Sequence, residues 1–171
     1  AMSISDRLVI MKAGQIVEVG TPLELYLSPK RLFTANFLGE ANFVLGTVVE
    51  CDSGHLTVSV NGWNLESTGS GFAKNDHVVL AVRPESVILT PTEARPGQQW
   101  TGIVREQVLL GDCIRTEVEL ENGMHMIAKI PNQGIQPVKG LGDRVRIDFA
   151  NGGLIPYQIP AHGLDVELAL E

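Results

Sequence analysis

The chain has 171 residues, 44% of them hydrophobic and 19% charged, enough to bury a core as one compact domain or one domain with an element attached. Its net charge of −7 is unevenly spread: residues 1–40 carry four basic and four acidic side chains, the rest nine basic and sixteen acidic. Such a surface repels nucleic acid. The sequence also lacks the run of about 18 apolar residues that a membrane-crossing helix needs.

The first predicted elements form a hairpin. Residues 8–11 and 15–19 are apolar-rich runs flanking Lys12-Ala13-Gly14, with glycine placed for a positive φ. Charged Asp6 and Arg7 occupy the place where a secretion signal would have its apolar centre. Thr21-Pro22-Leu23-Glu24 then supplies a threonine N-cap, proline at the first helical position and glutamate at the third, a capping box that starts a helix. Ser28-Pro29 interrupts this helix and should cap a second one, with Leu32, Phe33, Asn36 and Phe37 along one side and Gly39 at its end.

From about residue 42 the pattern changes to short strands. Leu56, Val58 and Val60 alternate with Thr57 and Ser59, and Val145, Ile147 and Phe149 alternate with Arg144, Arg146 and Asp148. Strands this short, with frequent turns and no helical period, predict a small barrel or sandwich. The strands also repeat. GTVVE, LTVSV-NG-WNLE and NDHVVLAVRPESVIL in one half match GIVRE, TEVELE-NG-MHMIAKI and GDRVRIDFANGGLIP in the other. The halves run over residues 42–89 and 100–157, and each should turn a hairpin at its Asn-Gly, Asn61-Gly62 and Asn122-Gly123. The second half carries insertions around Leu110-Gly111-Asp112 and around 133–138. Two half-barrels of this kind can close on each other and remove exposed strand edges.

Residues 5–42 carry a longer pattern. Ser5, Asp6, Arg7, Met11, Gly14, Gly20, Thr21, Pro22, Glu24, Tyr26 and Pro29, followed by Phe37, Leu38, Gly39 and Asn42, resemble in one register the end of the nucleotide-binding domain of ABC importer ATPases. The repeated segment, with Val82-Arg83-Pro84-Glu85, resembles the TOBE domain (transport-associated OB fold) that follows in polyamine, iron, sugar and sulfate importers. The resemblance implies a mainly β fold. Residues 1–40 would be the ATPase-domain ending, a hairpin plus short helices, and residues 41–171 an OB-like β-barrel of two half-repeats.

It further implies a cytoplasmic protein at the inner face of the membrane, working as a homodimer beneath membrane-spanning permease subunits. There it would couple ATP and Mg2+ to import of a solute that this end of the protein does not identify. The chain itself has no G-x-x-x-x-G-K-[ST] loop to cradle phosphates, and the family's signature loop, acidic strand end and switch histidine are absent. Neither catalytic residues nor a bound cofactor are therefore expected in it. It reads as a regulatory and dimer-contact segment of a longer ATPase. The alternative is a free-standing barrel that senses a small oxyanion.

Other chemistry is poorly supported. Only Cys51 and His55 lie close together, and no second pair completes a zinc-type set, so no metal is expected. Cys51 and Cys113 read as reduced, buried small hydrophobes. A nucleic-acid barrel needs stacked aromatics over a basic groove, yet four of the nine aromatics (Tyr26, Phe33, Phe37, Phe43) lie in or beside the helical region. Gly69-Ser70-Gly71 is a loop rather than a nucleophile elbow. The remaining candidates are charges on loop rims: Arg83 and Glu85, flanking a strand-ending proline, with Asp112 and Arg115 from the second half. These would contact a partner subunit or a small-molecule effector. Finally, Leu8, Val9, Ile10, Ile16, Val17, Leu25, Phe33 and Phe37 would be left uncovered if the first forty residues stood alone, which predicts self-association.

Overall fold

The computed structural model describes residues 5–93, 100–132 and 140–169, so the insertion expected around 133–138 lies outside the described residues. Strands β1 (Leu8–Lys12) and β2 (Gln15–Gly20) form the first hairpin, with Ala13 and Gly14 both at positive φ in the turn. Helix α1 (Pro22–Leu27) starts on the expected capping box. The Glu24 N–H donates to Thr21 Oγ1 over 3.3 Å, and the Thr21 N–H donates to Glu24 Oε2 over 2.9 Å. Helix α2 (Leu32–Phe37) is capped differently from the expectation at Ser28. Its N-cap is Arg31, which makes no side-chain cap. The Glu18 carboxylate on β2 instead accepts from the N–H groups of Lys30 (2.9 Å) and Arg31 (3.3 Å), so a remote residue holds the start of the helix.

Ile10, Leu25 and Phe33 bury one another, with Leu8, Val17 and Leu38 packed around them. This corrects the expected exposed set: five of those eight residues lie within this small core. What stays open is the other side of the hairpin, Val9 and Met11 opposite Val19 and Ile16, with Leu23, Leu27 and Phe37 beyond it.

Ten further strands follow among the described residues: β3 (Asn42–Asp52), β4 (His55–Val60), β5 (Trp63–Thr68), β6 (His77–Val82), β7 (Val87–Pro91), β8 (Thr101–Leu109), β9 (Cys113–Leu120), β10 (His125–Pro131), β11 (Arg144–Phe149) and β12 (Leu154–Gln158). A 3-10 turn over Pro84–Ser86 separates β6 from β7, and helix α3 (Leu164–Leu168) ends the described chain. Neither of these two helical elements was expected beyond residue 42.

The strands build two five-stranded sheets, ordered β12-β6-β3-β4-β5 and β7-β11-β8-β9-β10. Set side by side, the two orders match strand for strand, with one exchange. Each half contributes four strands to its own sheet and its fifth to the other: β7 joins the second half's sheet and β12 the first half's. The compact units follow this exchange, one holding Ala1–Ala81 with Ile155–Glu171 and the other Val82–Leu154. The fold is mainly β and OB-like; in the second unit the sheet curls until edge strands β7 and β10 approach each other.

The duplication reaches single atoms. The Val48 N–H donates to Asp76 O, and the Asn75 N–H to Val48 O; in the second half Val104 N–H donates to Asp143 O and Gly142 N–H to Val104 O. Asp76 and Asp143 each take the N–H three residues before them, from Ala73 and Gly140. β3 and β8 each carry a bulge just after the buried valine. Gly46 and Gly102 precede these valines by two residues. A Cβ on either would lie 2.5 Å from Val58 Cγ1 or Val118 Cγ1, so both strand crossings require glycine.

The two Asn-Gly turns differ. Asn61 and Gly62, both at positive φ, form the two-residue turn joining β4 and β5. Between β9 and β10 only Gly123 has positive φ. Its N–H donates to Leu120 O, Leu120 N–H donates to Met124 O, and Asn122 Oδ1 accepts from Met124 N–H, a three-residue loop rather than the tight pair.

Three stability effects follow. Gly62→Ala should cost about 1 kcal/mol in urea unfolding through its φ alone, since nothing lies within 4 Å of the added Cβ. Gly46→Ala should cost about 1–3 kcal/mol because Val58 and the Ser59 carbonyl must give way. The reverse ranking would refute the crossing argument. At the capping box, the Thr21 N–H and hydroxyl hold the Glu24 carboxyl below the usual carboxylate range. Because the folded pKa is lowered, this contribution is full above the ordinary carboxylate pKa and fades as pH falls through the lowered one. Glu24→Ala, which removes the carboxylate, should therefore destabilise the chain to urea at pH 7 and distinctly less at pH 3; an equal cost at both would exclude the carboxylate's part in the cap.

Candidate functional site

The candidate charges all fall in the second unit. Arg83 is the last residue before the 3-10 turn, and with only 8% exposure its side chain is buried rather than lining a rim. Pro84, with no N–H to donate, ends β6 as expected. The Ser86 N–H closes the turn on Arg83 O over 2.9 Å, leaving Glu85 exposed at its crest. The corresponding turn of the second half, between β11 and β12, closes in the same way, Gly153 N–H to Ala150 O. The two turns touch: the Ala150 N–H donates to Ser86 O over 2.9 Å, and a Cβ on Gly153 would come within 2.9 Å of Ser86 Cβ.

Asp112 lies exposed in the turn between β8 and β9, where Gly111 adopts positive φ. Its carbonyl accepts from the Asn132 N–H over 2.8 Å, tying the turn to the end of β10, and Asn132 Nδ2 donates to Gly111 O. Cys113 follows Asp112. Burial pushes its thiol pKa up; the Asp112 carboxylate raises it further by charge and hydrogen bond, and Glu85 by charge, while Lys129 acts in the opposite sense. Glu85 and Asp112, distant in sequence, thus act on one group.

Arg115, two residues along β9, faces the same way as Cys113 but is engaged elsewhere, with Glu106 at 3.3 Å and Glu117 at 3.7 Å. It belongs to a ladder of pairs across the sheet: Arg105–Glu119 at 2.6 Å, His125–Glu117 at 2.7 Å and Arg144–Glu121 at 3.4 Å. These pairs are largely exposed, and each contributes little to stability. The structure therefore sets Glu85 and Asp112 where both act on Cys113, engages Arg115 with Glu106 and Glu117, and buries Arg83. Sequence reasoning missed Lys129 and Asn132, because their part depends on pairing between β9 and β10 and not on a local motif.

Both cysteines are free, but Cys51 is exposed, its thiol donating to Phe72 O, and Cys113 is half-buried, so neither is the buried hydrophobe expected. Among the described residues, no three His, Cys, Asp or Glu side chains are grouped to hold a metal ion, and no helix is long and apolar enough to cross a membrane.

Residues 80–155 match the TOBE domain family. An Fe(3+) ions import ATP-binding protein, FbpC, of Brucella abortus is 32% identical over 154 residues, 90% of this chain and 42% of that protein. A spermidine/putrescine import ATP-binding protein, PotA, of Aliivibrio fischeri is 34% identical over 87% of this chain and 41% of its own length, and the PotA of Thermotoga maritima is 33% identical over 74% and 36%. The chain thus spans well under half the length of these relatives. Among solved structures, the cytoplasmic molybdate-binding protein ModG, with molybdate bound, superposes with a TM-score of 0.56 at 15% identity, covering 68% of this chain and 95% of that one. That likeness supports the fold.

The charges around Cys113 can be tested by alkylation. With Cys51→Ser removing the other thiol, Asp112→Asn should make Cys113 react severalfold faster with iodoacetamide at pH 8, since losing the carboxylate lowers the thiol pKa and raises the thiolate fraction. An unchanged or slower rate would remove the Asp112 carboxylate from the causes of the shift.

Proposed function

Because this chain carries a TOBE domain and is a relative of the ATP-binding subunits of ABC importers, we propose that it is the regulatory and dimer-contact part of such a subunit. The observation carrying this reading is the reach of the relatives' alignment. At 90% of the chain it must take in more than half of the first forty residues as well as the TOBE segment. A free-standing sensor of small oxyanions, the alternative, would share the barrel but has no use for the hairpin, α1 and α2. The likeness to ModG, at 15% identity, is one of fold.

In this reading the longer protein binds ATP and Mg2+, hydrolyses ATP and drives permease subunits at the inner face of the membrane, with cargo of the iron or polyamine kind. The present chain does not hydrolyse ATP, as its sequence contains no phosphate-cradling loop. Glu85 and Asp112, with Arg115 beside them, offer a partner or effector a polar rim.

Self-association belongs to the same reading. Among the described residues, one face of the β1–β2 hairpin is apolar and uncovered (Val9, Met11, Ile16, Val19), and both strands of this two-stranded sheet have an unpaired outer edge. The N-terminal forty residues are also electrically neutral, so two copies meeting there avoid the repulsion of the acidic remainder. Light scattering coupled to gel filtration should give twice the 18.5 kDa mass at tens of micromolar, and Val9→Lys with Ile16→Lys should restore the monomer. A monomeric wild type would refute the dimer contact; a saturable, micromolar ATP titration would refute the non-catalytic reading.

A further inference from the structure

We propose that the C-terminal helix α3 is a removable latch, seated on α2 and the β1–β2 hairpin in a site that receives a short helix with leucines four residues apart. α3 has five residues, none of them buried. A helix of that length has no stability of its own and exists only while something holds it.

Two side chains from the opposite end of the chain do so. Lys12 Nζ donates to the carbonyls of Val166 (3.2 Å) and Glu167 (3.0 Å), and Asn36 Nδ2 donates to Leu168 O over 2.8 Å. Three successive carbonyls that a helix end leaves without partners are thereby all taken. The ammonium also sits at the negative end of the helix dipole and is itself held over the Phe33 ring, 4.7 Å from its centroid. Leu164 and Leu168, four apart and so on one face, pack against the cluster of Leu32, Ala35, Val79, Ala81 and Tyr157.

The base of the latch is fixed and its arm is hinged. Tyr157 on β12 is buried and its hydroxyl donates to Pro29 O over 2.6 Å, which anchors the strand. Six residues later Gly163 adopts a φ of +87°, with its N–H closing a turn on Pro160 O, and the helix begins. Opening is therefore confined to the residues after the turn. It uncovers an apolar seat beside a lysine already placed for a helix C-terminus. The seat is filled here by α3 itself.

Hydrogen exchange on the full chain tests this. In the wild type the Glu167 and Ala169 amides, which donate to Gly163 O and Asp165 O, should be protected. Lys12→Met with Asn36→Ala should speed their exchange by about tenfold or more while β3 to β6 keep their protection, and Lys12→Arg should retain it. Leu168→Ser, which leaves the hairpin core intact, should open the latch in the same way. A peptide of residues 160–169 should then bind the Leu164→Ser/Leu168→Ser chain saturably, and this binding should be lost with Lys12→Met. Unprotected amides in the wild type, protection unchanged in Lys12→Met/Asn36→Ala, or no peptide binding would each overturn the proposal.

Discussion

Four residues separate β6 from β7, and the proline among them decides to which sheet the next strand belongs. Pro84 cannot donate to a ladder, so β6 stops and a 3-10 turn redirects the chain. β7 then pairs with β11 of the other half. The equivalent turn after β11 sends β12 back to β6, and the two turns meet at Ser86 and Gly153, where even a methyl group would collide. This crossing is the constraint from which the rest follows. Each sheet is completed by a strand from the other half, so neither half is complete alone.

The same constraint organises the packing. β6, which leads into the first exchange, is buried along nearly its whole length, with Val78, Val79 and Leu80 at no exposed surface, and Val145 on β11 is equally buried. Burying one such side chain stabilises by about 1.5–3 kcal/mol, and strands that hold these residues must find partners on both sides. The exposed polar and apolar side chains are displaced outward as a result. Glu85, Asp112 and the apolar face of the β1–β2 hairpin all lie on turns or edges, where loops commonly carry contacts.

Much of this was legible in the sequence. Alternation at residues 56–60 and 145–149 identified the core faces, the Thr21–Glu24 box began α1 in the right place, and Asn61-Gly62 turned its hairpin. These signals act over fewer than about five residues, within which local geometry is decisive. What could not be read depends on contacts between distant segments. Period-two alternation shows that residues 87–91 form a strand but not which sheet accepts it. Glu18 capping α2, Lys12 capping α3 and Asn132 closing the turn at Asp112 are each set by the tertiary fold. The candidate site was half legible for the same reason: Pro84 announces a turn, but whether Arg83 beside it faces solvent or core depends on strands far away in sequence.

The exchange of fifth strands can be observed directly in the nuclear Overhauser spectrum of the labelled chain. The account predicts backbone contacts between β7 and β11, with Leu89 opposite Ile147 and Ile88 opposite Asp148. Contacts joining residues 87–91 instead to β6 or β3 of their own half would contradict it.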